Sequence, residues 1–166
     1  MGASEAAMRR VMSDSMYATP RTIAEALSLA AAGDGTLLAG GTDIYPTQQG
    51  RPLDGSLIDL TAVSELRGIA TTGEGIRIGA LTTWSEVAAA DLGSGCRSLQ
   101  QAAVQVGGPQ IQNVGTVAGN LCNASPAADG VPPLLTLDAM VEVASLEGRR
   151  NLPIDEFLVG YRATAL

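Results

Sequence analysis

GGPQIQNVGTVAGNLCNASPAADGVPP, residues Gly107 to Pro133, is the stretch whose reading decides the fold. Five Gly, four Pro and three Asn in 27 residues argue against one continuous helix. A connection of that length without regular structure is usually functional or disordered. Ile111, Val114, Val117, Leu121, Val131, Leu134 and Leu135 lie in or beside it, so the backbone is expected to be pinned against a core. Gly115 and Gly119 allow close approach of another group, while Thr116, Asn120, Asn123 and Ser125 add short polar side chains. Asp129 is the only charge in the segment. This composition suits a polyphosphate held by main-chain N–H groups, set against the plainer reading of a glycine-rich surface loop with no ligand.

Working outward, LLAGGTDIYP (Leu37 to Pro46) runs from an apolar strand into a two-glycine turn followed by Thr42 and Asp43. It lacks the G-x-G-x-x-G spacing of a dinucleotide fingerprint, and a lone double glycine often only reverses the chain. Its weight comes from the second, longer glycine segment in the same chain. Around these two stretches the pattern alternates between helix and strand signals. Thr22 and Glu25 mark a helix start, with Ile23, Leu27 and Ala30 on one face and Gly33 as the stop. Thr36–Ala39 and Ser56–Leu60 read as buried strands, which predicts a small, mainly parallel unit over the first sixty residues. Beyond Leu60, Ile76–Leu81 alternates as a half-buried strand with Arg77 outward, and Thr83 and Glu86 form a second capping pattern. Leu99, Ala102, Ala103 and Val106 predict a helix over Ser98–Val106 ended by Gly107, and Met140–Ser145 with Arg149–Pro153 predicts a hairpin about Glu147-Gly148. The predicted class is α+β: an α/β N-terminal lobe over 16–62 and an antiparallel α+β lobe over 63–166, preceded by a mobile extension at 1–15.

Absences in composition exclude several chemistries. The chain has 166 residues, no His and no Lys, and all ten basic residues are Arg. Walker-type phosphate loops and Schiff-base enzymes need a Lys, and Ser or Cys hydrolases usually need a His base. Cys96 and Cys122 are too few for an iron–sulfur cluster or a structural zinc site, so no metal is expected and each reads as a buried or half-buried thiol. A net charge of -7 disfavours nucleic acid, and no apolar run reaches the length of a membrane span. With no secretory signal visible, a cytoplasmic location is expected.

Taken together, LLAGGTDIYP, LIDLTAVSELRGI, IRIGALTTW and above all QIQNVGTVAGNLCNASPAADGVPPLLTLDA resemble the FAD-binding domain of the medium, or flavoprotein, subunit of molybdenum hydroxylases, the xanthine and carbon monoxide dehydrogenase type. The resemblance runs from about Tyr17 to the C-terminus. It implies a two-lobed FAD-binding fold of the PCMH/vanillyl-alcohol-oxidase type, incomplete at the C-terminus, with noncovalent FAD between the lobes. It also implies two cofactor segments. The first is Leu37, Leu38, Ala39, Gly40, Gly41, Thr42, Asp43 and Ile44, and the second is Thr116, Val117, Ala118, Gly119 and Asn120, with Asp129 of SPAAD as a further polar contact. No residue of this chain is implied as a catalytic acid, base or nucleophile. The implied role is electron transfer, from the clusters of an iron–sulfur small subunit serving a molybdopterin large subunit to NAD or another acceptor. Two other readings stand beside it: a non-catalytic module that only binds partners, and a self-standing FAD-dependent oxidoreductase. Members of the family tend to begin near a Tyr like Tyr17, which makes Met12 or Met16 a candidate start.

Overall fold

A computed structural model describes residues 16–33, 35–47, 55–73 and 75–166. The predicted extension at 1–15 lies outside the described residues. Strands β1 (Tyr17–Ala18), β2 (Thr36–Leu38) and β3 (Leu57–Asp59) form a parallel sheet in the order β1-β3-β2. Helix α1 (Ile23–Ala32) packs on β3 and buries Ala26, with Ile23, Leu27 and Ala30 half-buried on the same side. Its start is well supplied with acceptors. Thr22 Oγ accepts from the Glu25 N–H, the Glu25 carboxylate accepts from the Arg21 N–H, and Glu65 caps the Ile23 N–H from a neighbouring 3-10 turn. After β2 the chain turns through Gly40 and Gly41 into α2 (Ile44–Thr47).

The remaining strands pair antiparallel, as the sequence predicts for this part of the chain. β4 (Ile69–Thr72) pairs with β5 (Gly75–Ile78), β6 (Met140–Ser145) with β7 (Gly148–Pro153), and β8 (Leu158–Gly160) with β9 (Ala163–Thr164). β4 has no counterpart in the sequence reading because IATT is too short and polar to stand out. The predicted hairpin is present in register from Met140↔Pro153 to Ser145↔Gly148. Arg77 of β5 and Arg149 of β7 both meet Glu142 of β6 at 2.8 Å, which ties the two hairpins at the surface.

Helices α3 (Trp84–Ala89) and α4 (Arg97–Ala103) pack together over one apolar cluster that also takes in Leu121, Leu134, Val143, Ile154 and Phe157. Trp84, Leu99 and Phe157 are its largest fully buried members. The capping box ahead of α3 is complete: Thr83 Oγ accepts from the Glu86 N–H and Glu86 accepts from the Thr83 N–H. α4 stops at Ala103, short of the predicted Val106, and Gly107 turns the chain four residues later with φ +56°.

The Gly107–Pro133 stretch corrects the expectation of an irregular loop. It carries α5 (Pro109–Gln112), α6 (Val117–Asn123) and the start of α7 (Val131–Thr136). Helices this short are marginal alone, so tertiary contacts must hold them. Here they do: the Gly115 carbonyl accepts from the Trp84 N–H, the Val117 N–H donates to the Thr82 carbonyl, and Ser85 Oγ donates to Asn113 Oδ1 at 2.6 Å. A bridge between Thr83 and Thr116 completes the seam. Gly and Pro therefore break this stretch into turns of helix without abolishing helix.

Candidate functional site

The first glycine segment leaves the carboxyl end of β2. Leu38 is buried and in register with Asp59, whereas Leu37 is part-exposed on the other face of the sheet. Gly41 has φ +68°, a left-handed conformation that costs a glycine little. Tyr45 lies across it, so that an added Cβ would meet the ring at 2.5 Å. Thr42 is half-buried, Asp43 is exposed, and Ile44 opens α2 half-buried. Among the described residues no acceptor takes the N–H groups of Gly40, Gly41, Thr42 or Asp43.

The second segment is the first turn of α6. Thr116 is its N-cap and is 5% exposed, and its Oγ accepts from the Gly119 N–H at 3.0 Å. The Asn120 N–H goes to the Thr116 carbonyl and that of Val117 to Thr82. Three of the five backbone donors in the segment are thus already committed within the protein, and the Val117 side chain is buried in the core. Ala118 sits within the helix and is not among the positive-φ residues, so a Cβ there is unstrained. Asn120 Oδ1 is buried and has no hydrogen-bond partner among the described residues. An orphaned amide oxygen of this kind is costly unless a donor reaches it.

The two segments meet directly. A Cβ on Gly40 would collide with the Val114 carbonyl, 2.8 Å from its carbon and 3.0 Å from Gly115 Cα, and the Cβ position of Gly115 lies 3.5 Å from Thr42 Oγ1. Asp129 is exposed beside Gly130, which packs on the edge of Trp84 and whose Cβ position is 2.9 Å from Asn120 Oδ1. The structure therefore brings Gly40 and Thr42 against the approach to Thr116, and Asn120 against Gly130, the neighbour of Asp129, while the Leu38 and Val117 side chains are buried. The sequence reading missed Thr82, Trp84 and Gly130, which hold this arrangement. GALTTW carried the only signal for the first two, as a short polar insertion between a strand and a helix cap.

Neither segment contains a basic residue. Cys122, expected to be buried or half-buried, is exposed on α6, because the face it occupies turns away from the core that holds Leu121. A shallow concavity lined by Thr19, Pro20, Ala24, Glu25, Ser28 and Leu29 lies along α1, outside both glycine segments, and carries a single ionisable group. No helix among the described residues is long and apolar enough to cross a membrane.

A parallel sheet feeding a glycine turn, set against a capped helix in an antiparallel half, makes this an α+β domain. The family described as "FAD binding domain in molybdopterin dehydrogenase" matches residues 9–166, and this chain belongs to it. FAD is the cofactor of that family, and the match begins inside the stretch expected to be an extension. Among curated relatives, the chain is 36% identical over 154 residues to the nicotinate dehydrogenase FAD-subunit of Eubacterium barkeri, covering 90% of this chain and 52% of that protein. It is 30% identical over 154 residues to the carbon monoxide dehydrogenase medium chain of Hydrogenophaga pseudoflava, covering 90% and 54%. The solved structure of reconstituted CO dehydrogenase from Oligotropha carboxidovorans superposes with a TM-score of 0.86 at 29% identity, over 92% of this chain and 55% of that one. The chain thus spans about half the length of the relatives it matches.

Proposed function

We propose that this chain is the FAD-binding part of the electron-transfer subunit of a molybdenum hydroxylase, with the FAD diphosphate lying between the Leu37–Ile44 turn and the first turn of α6. The observation that carries this reading is the contact of Gly40 with Val114 and Gly115, which joins the two glycine segments into one surface. The residues present fit such a group. The N–H groups of Gly40 to Asp43, with those of Thr116 and Ala118, are open to an anion in a chain without Lys, and buried Asn120 Oδ1 supplies an acceptor awaiting a donor. Asp129, exposed beside this surface, offers a carboxylate to hydroxyl donors. Leu38 and Val117 contribute backbone only, since their side chains are buried in the core.

When bound, FAD would supply the redox chemistry by which this subunit links an iron–sulfur partner to NAD or another acceptor. The protein holds and orients it without a covalent histidyl link, there being no His. Substrate oxidation itself belongs, in this reading, to a molybdopterin large subunit. The test is flavin absorbance of the purified chain after FAD is added and excess removed, together with copurification of an iron–sulfur subunit. Retained flavin that substrate reduces only when the partner subunits are present supports the proposal. No flavin uptake, or direct reduction by substrate in the isolated chain, overturns it, the first in favour of a partner-binding module and the second in favour of a self-standing oxidoreductase.

A further inference from the structure

Three non-glycine residues among those described have left-handed backbones: Ala124 (φ 44°), Asp138 and Arg162 (φ 49°). Two of the three are bonded to each other. The Arg162 N–H donates to the Ala124 carbonyl at 3.1 Å, and Ala124 is the C-cap of α6. The Arg162 guanidinium also reaches back, Nη1 donating to Asn123 Oδ1 at 2.7 Å on the last residue of the same helix. Strained backbone persists where its surroundings over-determine it, and here two strained residues from distant parts of the chain support one another.

α6 has seven residues, too few to hold its own place. Its N-terminal end is fixed by the Thr82 carbonyl and the Thr83 to Thr116 bridge. Its C-terminal end is fixed by Arg162, in the turn between β8 and β9, which also brings a cation to the negative end of the helix. Between these two anchors lie Gly119 and Asn120. We infer that Arg162, acting through Asn123, is a positioning residue for the cofactor: it sets the tilt of α6 and with it the placement of Gly119 and Asn120. This rests on the FAD placement proposed above. It assigns to the β8–β9 turn a part in flavin binding although Arg162 is bonded to Asn123 and Ala124 and to no residue of Leu37–Ile44 or Thr116–Asn120.

The experiment is an FAD titration of the full chain, followed by flavin fluorescence, for wild type, Arg162→Ala, Arg162→Lys, Asn123→Ala, the Arg162→Ala/Asn123→Ala double variant and Gly119→Val. Arg162→Ala and Asn123→Ala should each raise the FAD dissociation constant roughly three- to tenfold, and the double variant should lose no more than the weaker-binding single, as expected of two groups acting through one bond. Arg162→Lys should recover part of the loss by keeping a cation donor, a rescue that a merely structural turn residue would not show. Wild-type affinity in both single variants, or losses that add in the double, would overturn the inference. If Arg162→Ala does not fold, Asn123→Ala against wild type decides by the same criterion. The two readings separate cleanly. A wild-type chain that takes up no FAD ends both, whereas loss of FAD in Gly119→Val with unchanged affinity in the Arg162 and Asn123 variants ends only this one.

Discussion

Gly40 lies against the Val114 carbonyl with no room for a side chain. The neighbour is backbone on both sides of the contact, so it cannot swing away as the end of a flexible side chain would. Gly40→Ala must push the β2 turn and the approach to α6 apart. The expected cost is about 1–3 kcal/mol of stability from overpacking. Flavin retention should fall by more than that destabilisation explains, because the separated surfaces are the ones proposed to share the diphosphate. Denaturant midpoints and flavin content, measured on the same preparations, check both parts.

Trp84 is the sole tryptophan of the chain and is 1% exposed, with its ring edge against Gly130 and its backbone N–H donating to the Gly115 carbonyl. It is therefore a built-in reporter for the region between the two segments. Its emission should be that of a buried indole and should be strongly quenched as FAD is titrated. Emission unchanged at saturating FAD would place the flavin elsewhere. Trp84→Ala should cost about 3–5 kcal/mol, since it removes the largest side chain of the core.

The parts of this fold that were legible in the sequence are those fixed by local signals. Thr83 and Glu86 announced a capping box that the structure forms in full, and the alternation about Glu147-Gly148 gave the β6–β7 hairpin in register. α5 and α6 were not legible, because their Gly and Pro residues oppose helix locally and the bonds from Thr82, Ser85 and Trp84 that overrule them come from elsewhere in the chain. Both glycine segments stood out by composition. Their contact did not, and neither did the link from Arg162 to Ala124, since no periodicity records a meeting of residues 38 apart. Gly119 was noticed for close approach of a ligand, whereas its own N–H serves the Thr116 cap.

That double duty shapes a graded prediction at Gly119. A Cβ there would sit 2.9 Å from Thr116 Oγ1, so the cap hydroxyl must shift to admit it. Gly119→Ala should keep the helix, since the better helix propensity of Ala offsets that shift, and lose only part of the FAD affinity. Gly119→Val adds branched bulk beside the cap and should abolish FAD retention, while Asn123→Ala, acting at the far end of α6, should cost less. Equal flavin content in wild type and Gly119→Val would reject the proposed second segment.

Tyr17 on β1 donates its hydroxyl to Asp59 at the end of the central strand β3, and each group shifts the other's titration. The hydrogen bond to Asp59, reinforced by desolvation and by the carboxylate's charge, pushes the Tyr17 phenol up to about 12. For Asp59, burial acts to raise the carboxyl, but hydrogen bonds from Thr61 and Tyr17 prevail and leave it below its ordinary value. The signs follow by linkage. Asp59 is depressed in the folded chain, so its contribution is present above the unfolded carboxyl value of about 4 and is lost as pH falls through the lower folded value. Tyr17 is raised, so its contribution is complete below about 10 and is lost as pH climbs from there towards about 12. Tyr17→Phe removes one donor from Asp59 and should move the acid unfolding transition to higher pH. In the alkaline range, phenolate absorbance should show one of the three tyrosines titrating late. That late step should vanish in Tyr17→Phe and return towards an ordinary phenol in Asp59→Asn. A late tyrosine that persists in Asp59→Asn would mean that the carboxylate is not what holds the proton on Tyr17.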